Sequence, residues 1–186
     1  DDAKLIFTSS AAVYGNPTKL PTPEDYGFNP FSCYGLSKVV GEEYCNMYVN
    51  QYGLDITILR LANVYGPRCH GVISDFLDKI SKNPEKLEII GTGLQSRDFV
   101  HISDVVDALM LSATSKNAVG QTFNIGFGKT TKIIDLAKMI LKILNLSDKT
   151  VITTTNVSWK GDINTIWFDI SKAKKELKWH PRISLE

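Results

Sequence analysis

The chain has 186 residues, 43% apolar and 22% charged, with a formal net charge of +1. That length and balance fit a globular protein with a sizeable core. They give no handle for nucleic acid or an anionic membrane, and no apolar run is long enough to span a bilayer.

In chain order, residues 4–9 read as a buried strand running into Ser9-Ser10-Ala11-Ala12-Val13-Tyr14-Gly15. Residues 16–33 are rich in Pro, Asn, Thr and Gly and read as a surface loop. Residues 34–52 form a helical pattern closed by Gly53, with tyrosines at 44, 48 and 52 that read as packing or a subunit contact. Residues 55–61 are the next strand, followed by Asn63-Val64-Tyr65-Gly66-Pro67 in a loop. A helix is predicted over 72–81, whose start either meets a phosphate with free N–H groups or is an ordinary helix start. Strands are predicted at 87–90, 97–101, 122–125 and 151–155, and helices at 103–113 and 133–146. Residues 162–168 read as extended, and 171–179 as a short helix stopped before Pro181. The pattern divides into residues 1–66, continuing a parallel α/β sheet, and 67–186, a smaller mixed lobe with one segment returning to the sheet.

Cys33, Cys45 and Cys69 are odd in number and lack CxxC spacing, so a reduced, cytoplasmic protein is expected. His70, His101 and His180 are scattered, and no metal site is expected.

Tyr34 and Lys38 stand four apart, on one face of the predicted helix. A cation beside a phenol favours the phenolate, which suits a base near neutral pH. A serine hydroxyl at the end of the preceding strand can polarise a substrate oxygen beside it. Tyr-x-x-x-Lys alone is also what an amphipathic helix supplies. The Ser-Ser-Ala-Ala-Val-Tyr-Gly stretch before it and Arg60-Leu61-Ala62-Asn63-Val64-Tyr65-Gly66-Pro67 after it make the chemical reading specific.

Together these motifs resemble the extended short-chain dehydrogenase/reductase family, in its NAD-dependent sugar-nucleotide epimerase/dehydratase branch, and most of all the UDP-glucose 4-epimerases. The resemblance implies an α/β fold: the C-terminal half of a Rossmann-like parallel sheet domain plus a smaller mixed α/β substrate-binding lobe. It implies Ser10, Tyr34 and Lys38 as catalytic residues, with Ser9 as the other register for the serine. NAD would touch Ser9, Tyr34, Lys38, Leu61 and Ala62. A UDP-sugar would touch Ser10, Asn63, Val72, Leu87, Ile89, Arg97 and Asp162. Leu87 and Ile89 serve equally as strand core, Arg97 as a salt bridge to Asp98 or Asp104, and Asn63 as a turn former. Dehydratases of the family place an acidic residue just after the catalytic hydroxyl, where this chain has Ala11 and Ala12, so epimerisation is favoured over dehydration, while a 4,6-dehydratase or a reductase stays the alternative. Trp159 stands where the best-known epimerases carry an arginine.

The sequence shows no Gly-x-x-Gly-x-x-Gly turn after a strand, the device that would hold a dinucleotide pyrophosphate. The chain is therefore read as a fragment holding the catalytic and substrate half, inactive by itself, of a protein expected to be a homodimer. The competing reading is an inert nucleotide-sugar-binding module.

Overall fold

The computed structural model describes residues 3–68, 70–158 and 160–185. Its elements run β1 (Leu5–Ser10), α1 (Cys33–Tyr52), β2 (Ile56–Leu61), β3 (Asn63–Tyr65), α2 (Val72–Lys82), β4 (Lys86–Ile89), β5 (Ser96–Arg97), β6 (Phe99–His101), α3 (Ile102–Thr114), β7 (Thr122–Ile125), β8 (Thr131–Lys132), α4 (Ile133–Ile143) and β9 (Val151–Thr154). Cys69 and Trp159, both weighed in the sequence, lie outside the described residues.

Strands β1, β2 and β7 pair in that order, all parallel. Side chains alternate across a strand, so each strand feeds two faces. Phe7, Ile56 and Ile58 face α1 and pack with Cys45 and Val49. The alternate positions Ile6, Leu59, Leu61, Phe123 and Ile125 pack with Val105 and Ala108 of α3. A sheet buried on both faces by helices is the α/β arrangement that near-continuous apolar strands require.

The segment after β9 returns to this core, where Ile166, Phe168, Ile170, Ala173, Leu177 and Trp179 are buried. Residues on both sides of position 66 therefore share the first core. A second core joins Phe76 and Ile80 of α2, Leu87 and Ile89 of β4, Phe99, and Leu136, Ala137 and Ile140 of α4. Its small sheets are β3–β6 and β4–β9, both parallel, and antiparallel β5–β8.

The differences from the sequence reading are local. The strand expected over 97–101 is divided into β5 and β6, residues 63–65 of the expected loop pair with β6 as β3, and two-residue β8 carries too little pattern to be recognised. The helix expected over 133–146 stops at Ile143, because Asn145 adopts a left-handed φ of 56°. The helix expected over 171–179 is mainly a π-helical turn at Ala173–Leu177, closed by left-handed Lys178. No helix among the described residues is long and apolar enough to cross a membrane.

Candidate active site

Strand β1 ends at Ser10, whose hydroxyl accepts the Ala12 N–H at 3.2 Å and caps a 3-10 turn at Ala11–Val13. Helix α1 starts beside this turn, capped by Ser32, which accepts the Gly35 N–H at 3.0 Å. The approach is close: a Cβ on Gly35 would lie 2.6 Å from the Ala12 carbonyl oxygen. Glycine at 35 thus lets the helix start sit against the strand end. Ser10 and Tyr34 line one cavity of about 370 Å³, with Ala11, Ala12, Ala62 and Asn63.

Tyr34 is 56% exposed. Its hydroxyl makes no hydrogen bond among the described residues and is open to a ligand. The Lys38 ammonium lies 5.7 Å from the Tyr34 ring centroid and donates to the Thr8 carbonyl at 2.9 Å. One of its three N–H bonds is engaged there, leaving donors for another oxygen. An open phenol, an ammonium with spare donors and an apolar wall of Ala11, Leu61 and Ala62 fit a nicotinamide riboside in size and donor chemistry.

Ser9 sits apart from the cavity that Ser10 lines. Strand alternation turns it away from Ser10 and toward α1, where it is buried and donates to Glu42. Ser9, Arg60 and Asn124 are aligned neighbours across the three strands. Arg60 grips Glu42 through Nε, at 3.0 and 3.1 Å, and Nη2, at 2.7 Å. Its Nη1 donates to the Tyr14 hydroxyl and the Glu24 carbonyl, both at 2.7 Å. Tyr14 in turn donates to Asn124 at 2.7 Å. Burial pushes the Tyr14 phenol far above its ordinary range, so it stays a neutral donor. Burial likewise raises the Glu24 carboxyl, against the Asn124 N–H that it accepts at 2.9 Å.

This buried polar row ties the strand end carrying Ser10 to the helix carrying Tyr34 and Lys38. The sequence held two signals for it: an arginine inside an apolar strand, and a glutamate one turn beyond Lys38 on the same helix stripe.

A second cavity, about 410 Å³, is lined by Val72, Phe76, Ile89, Gln95, Arg97 and Asp162, among others. Asn63 and Arg97 line both cavities, so the two are adjoining parts of one cleft. Val72 opens α2 after Gly71, which offers no side-chain cap, so first-turn N–H groups remain available. Ile89 reaches the cavity although it is almost wholly buried. Leu87 is fully buried in the second core and lines neither cavity.

Arg97 pairs with neither Asp98 nor Asp104. Its Nη2 meets Asp162 Oδ1 at 2.5 Å. Burial holds the Arg97 guanidinium below its ordinary range, and the Asp162 carboxylate opposes that. Asp98 instead accepts backbone N–H groups of Phe127, Gly128 and Phe168 at 2.7, 3.0 and 3.2 Å. Burial still pushes its carboxyl up to about 6.

A parallel sheet with a cleft at the carboxyl ends of its strands is the Rossmann-like architecture of the epimerase/dehydratase structures. The chain belongs to the NAD dependent epimerase/dehydratase family, whose family model matches residues 1–126. A relative from Methanocaldococcus jannaschii is 41% identical over 192 residues, covering 100% of this chain and 60% of its own. The UDP-glucose 4-epimerase of Mycolicibacterium smegmatis is 36% identical over 188 residues, covering 98% of this chain and 58% of its own. UDP-glucuronic acid decarboxylase 3 of Arabidopsis thaliana is 33% identical over 192 residues, covering 98% and 54%.

Among solved structures, Thermotoga maritima UDP-glucose 4-epimerase with UDP-glucose matches with a TM-score of 0.88 and 35% identity, over 98% of this chain and 59% of that one. Bacillus cereus UDP-glucuronic acid 4-epimerase, with UDP-glucuronic acid and NAD, matches at 0.88 and 33%, over 98% and 57%. The dTDP-glucose 4,6-dehydratase DesIV of Streptomyces venezuelae, with NAD and TYD bound, matches at 0.86 and 25%, over 98% and 56%. The chain thus spans about 60% of the length of the curated relatives it matches.

Proposed function

We propose that this chain is the catalytic and substrate-binding part of an NAD-dependent UDP-hexose 4-epimerase. The observation that carries the choice of reaction is the lining of the Ser10–Tyr34 cavity. Among the described residues it holds no carboxylate, and Ala11 and Ala12 stand directly after Ser10. Dehydration needs further acid–base groups at the sugar, which alanines cannot supply.

In this reading Tyr34 takes the proton from the sugar 4-hydroxyl, and Ser10 hydrogen-bonds the same oxygen. Lys38 holds positive charge behind the phenol and donates to the cofactor ribose. NAD, when bound there, would supply reversible hydride transfer at sugar C4. Leu61 and Ala62 wall the nicotinamide side of the cleft. Tyr34 returns its proton when the ketone is reduced on its other face. Asn63, Val72 and Arg97 receive the diphosphate, for which a guanidinium is suited, and Ile89 flanks the base.

The same reading places the protein in the cytoplasm, on its cysteine usage. It also places a homodimer contact on the exposed α1 face of Tyr44, Tyr48 and Tyr52; sedimentation of the full-length protein measures that state. The test of activity is incubation of the full-length, NAD-loaded protein with UDP-glucose. UDP-galactose is the expected product. A 4-keto-6-deoxy sugar instead, or carbon dioxide from UDP-glucuronic acid, overturns the assignment.

A further inference from the structure

Arg97 stands where the two cavities join, and the group that holds it belongs to the protein. Asp162 lines the Val72–Ile89 side and Gly161 the Tyr34 side, so this short segment flanks the same junction. The side chains of Arg97 and Asp162 are only 13% and 11% exposed. Both carboxylate oxygens are engaged: Oδ1 accepts from Arg97 at 2.5 Å, and Oδ2 from Gln95 Nε2 at 3.0 Å. Gln95 Nε2 also donates to Ser158 Oγ at 2.8 Å, tying the segment down from a second point. Arg97 Nη1 donates to the Ser96 carbonyl at 2.9 Å, so a ligand that spans the cleft meets a guanidinium already engaged at both terminal nitrogens.

We propose that the Arg97–Asp162 pair is a selectivity latch that admits ligands carrying both an anion and a neighbouring hydrogen-bond donor. The inference rests on the reading above, that this cleft receives a nucleoside diphosphate sugar. An incoming diphosphate replaces Asp162 on Arg97. Asp162 keeps its Gln95 bond but loses its counter-charge, and it then faces a second anion. Breaking a mostly buried pair from one side is costly because the partner left behind is uncompensated. A bare phosphate bears that cost in full. A nucleotide with a ribose hydroxyl within reach of Oδ1 gives the carboxylate a new donor and recovers part of it. Asp162 thus discriminates by penalising the wrong ligand rather than by adding attraction for the right one.

The test is calorimetry on the full-length protein with UDP and with inorganic pyrophosphate, for wild type, Asp162→Asn and Asp162→Ser. Both variants remove the carboxylate charge, and they differ in size, so one fold failure does not end the test. The latch predicts that pyrophosphate binds about 10-fold more tightly to the variants, while UDP gains less or weakens. The preference for UDP over pyrophosphate then falls by about 10-fold or more. Variants that melt like wild type and bind pyrophosphate no better overturn the latch. Wild-type protein that binds no UDP overturns the nucleotide reading instead, and the pyrophosphate comparison still decides whether Asp162 blocks Arg97.

Discussion

Glu42 is fully buried and so has no water to replace a lost partner. Its carboxylate accepts from Ser9 and from Arg60, the latter through two nitrogens. Glu42→Ala leaves the Arg60 charge stranded in the sheet face, which costs about 3–5 kcal/mol. Urea unfolding measures it, and a change under 1 kcal/mol contradicts the network's role. Tyr34 is the opposite case, exposed and without a hydrogen-bonded hydroxyl. Tyr34→Phe in the full-length enzyme leaves stability and UDP binding in place and lowers turnover by roughly 100-fold or more; unchanged turnover removes Tyr34 from the reaction. Tyr34 and Ser10 were legible because their neighbours in sequence carry the pattern. The orientation of Ser9 was not, because it depends on which face of β1 meets α1, and a one-residue step reverses it.

Helix α1 lies unusually close to β1. A Cβ on Gly41 would sit 2.4 Å from the Phe7 ring. In an exposed helix Gly→Ala gains about 1 kcal/mol. Here the added methyl displaces Phe7, and overpacking of about 1–3 kcal/mol outweighs that gain. Gly41→Ala is therefore expected to lower the melting temperature; a rise shows that Phe7 yields freely. Helix α4 was readable from its apolar periodicity, and the end of α1 from Gly53, which adopts a left-handed φ of 65°. Short pieces such as β3 and β8 were not, because their pairing is set by partners far away in the chain. The π-helical turn near the C-terminus follows from burying Ala173, Leu177 and Trp179 together, a demand of tertiary packing.

Asp98 joins distant parts of the chain, since its carboxylate collects N–H groups from the turn after β7 and from Phe168. With its folded-state value raised from 3.8 to about 6, the native state holds this proton where the unfolded chain has released it. That contribution is complete below about pH 4 and is lost as pH rises to about 6, amounting to about 3 kcal/mol. Wild type minus Asp98→Asn, measured by urea unfolding at several pH values, should fall by that amount across the window. A flat difference contradicts the assignment. The parallel sheet and the mixed lobe beside it were legible as a pattern of elements. That a segment of 67–186 returns to the sheet was expected; that residues 166–179 do so was not, because those apolar positions carry no periodic signal of their own. Nor was the Arg97–Asp162 pair, whose members stand 65 positions apart.

The central sheet also fixes an order of events in time. Its strands come from residues 5–10, 56–61 and 122–125, and each is bonded in parallel to one from a remote stretch. Parallel pairing allows no tight hairpin, so every contact must first close a long loop, whose entropy is lost before any reward arrives. The row of Ser9, Arg60 and Asn124 is complete only after all three strands have met. Refolding should accordingly be slow, on the order of milliseconds to seconds, and the row of Ser9, Arg60 and Asn124 should close last.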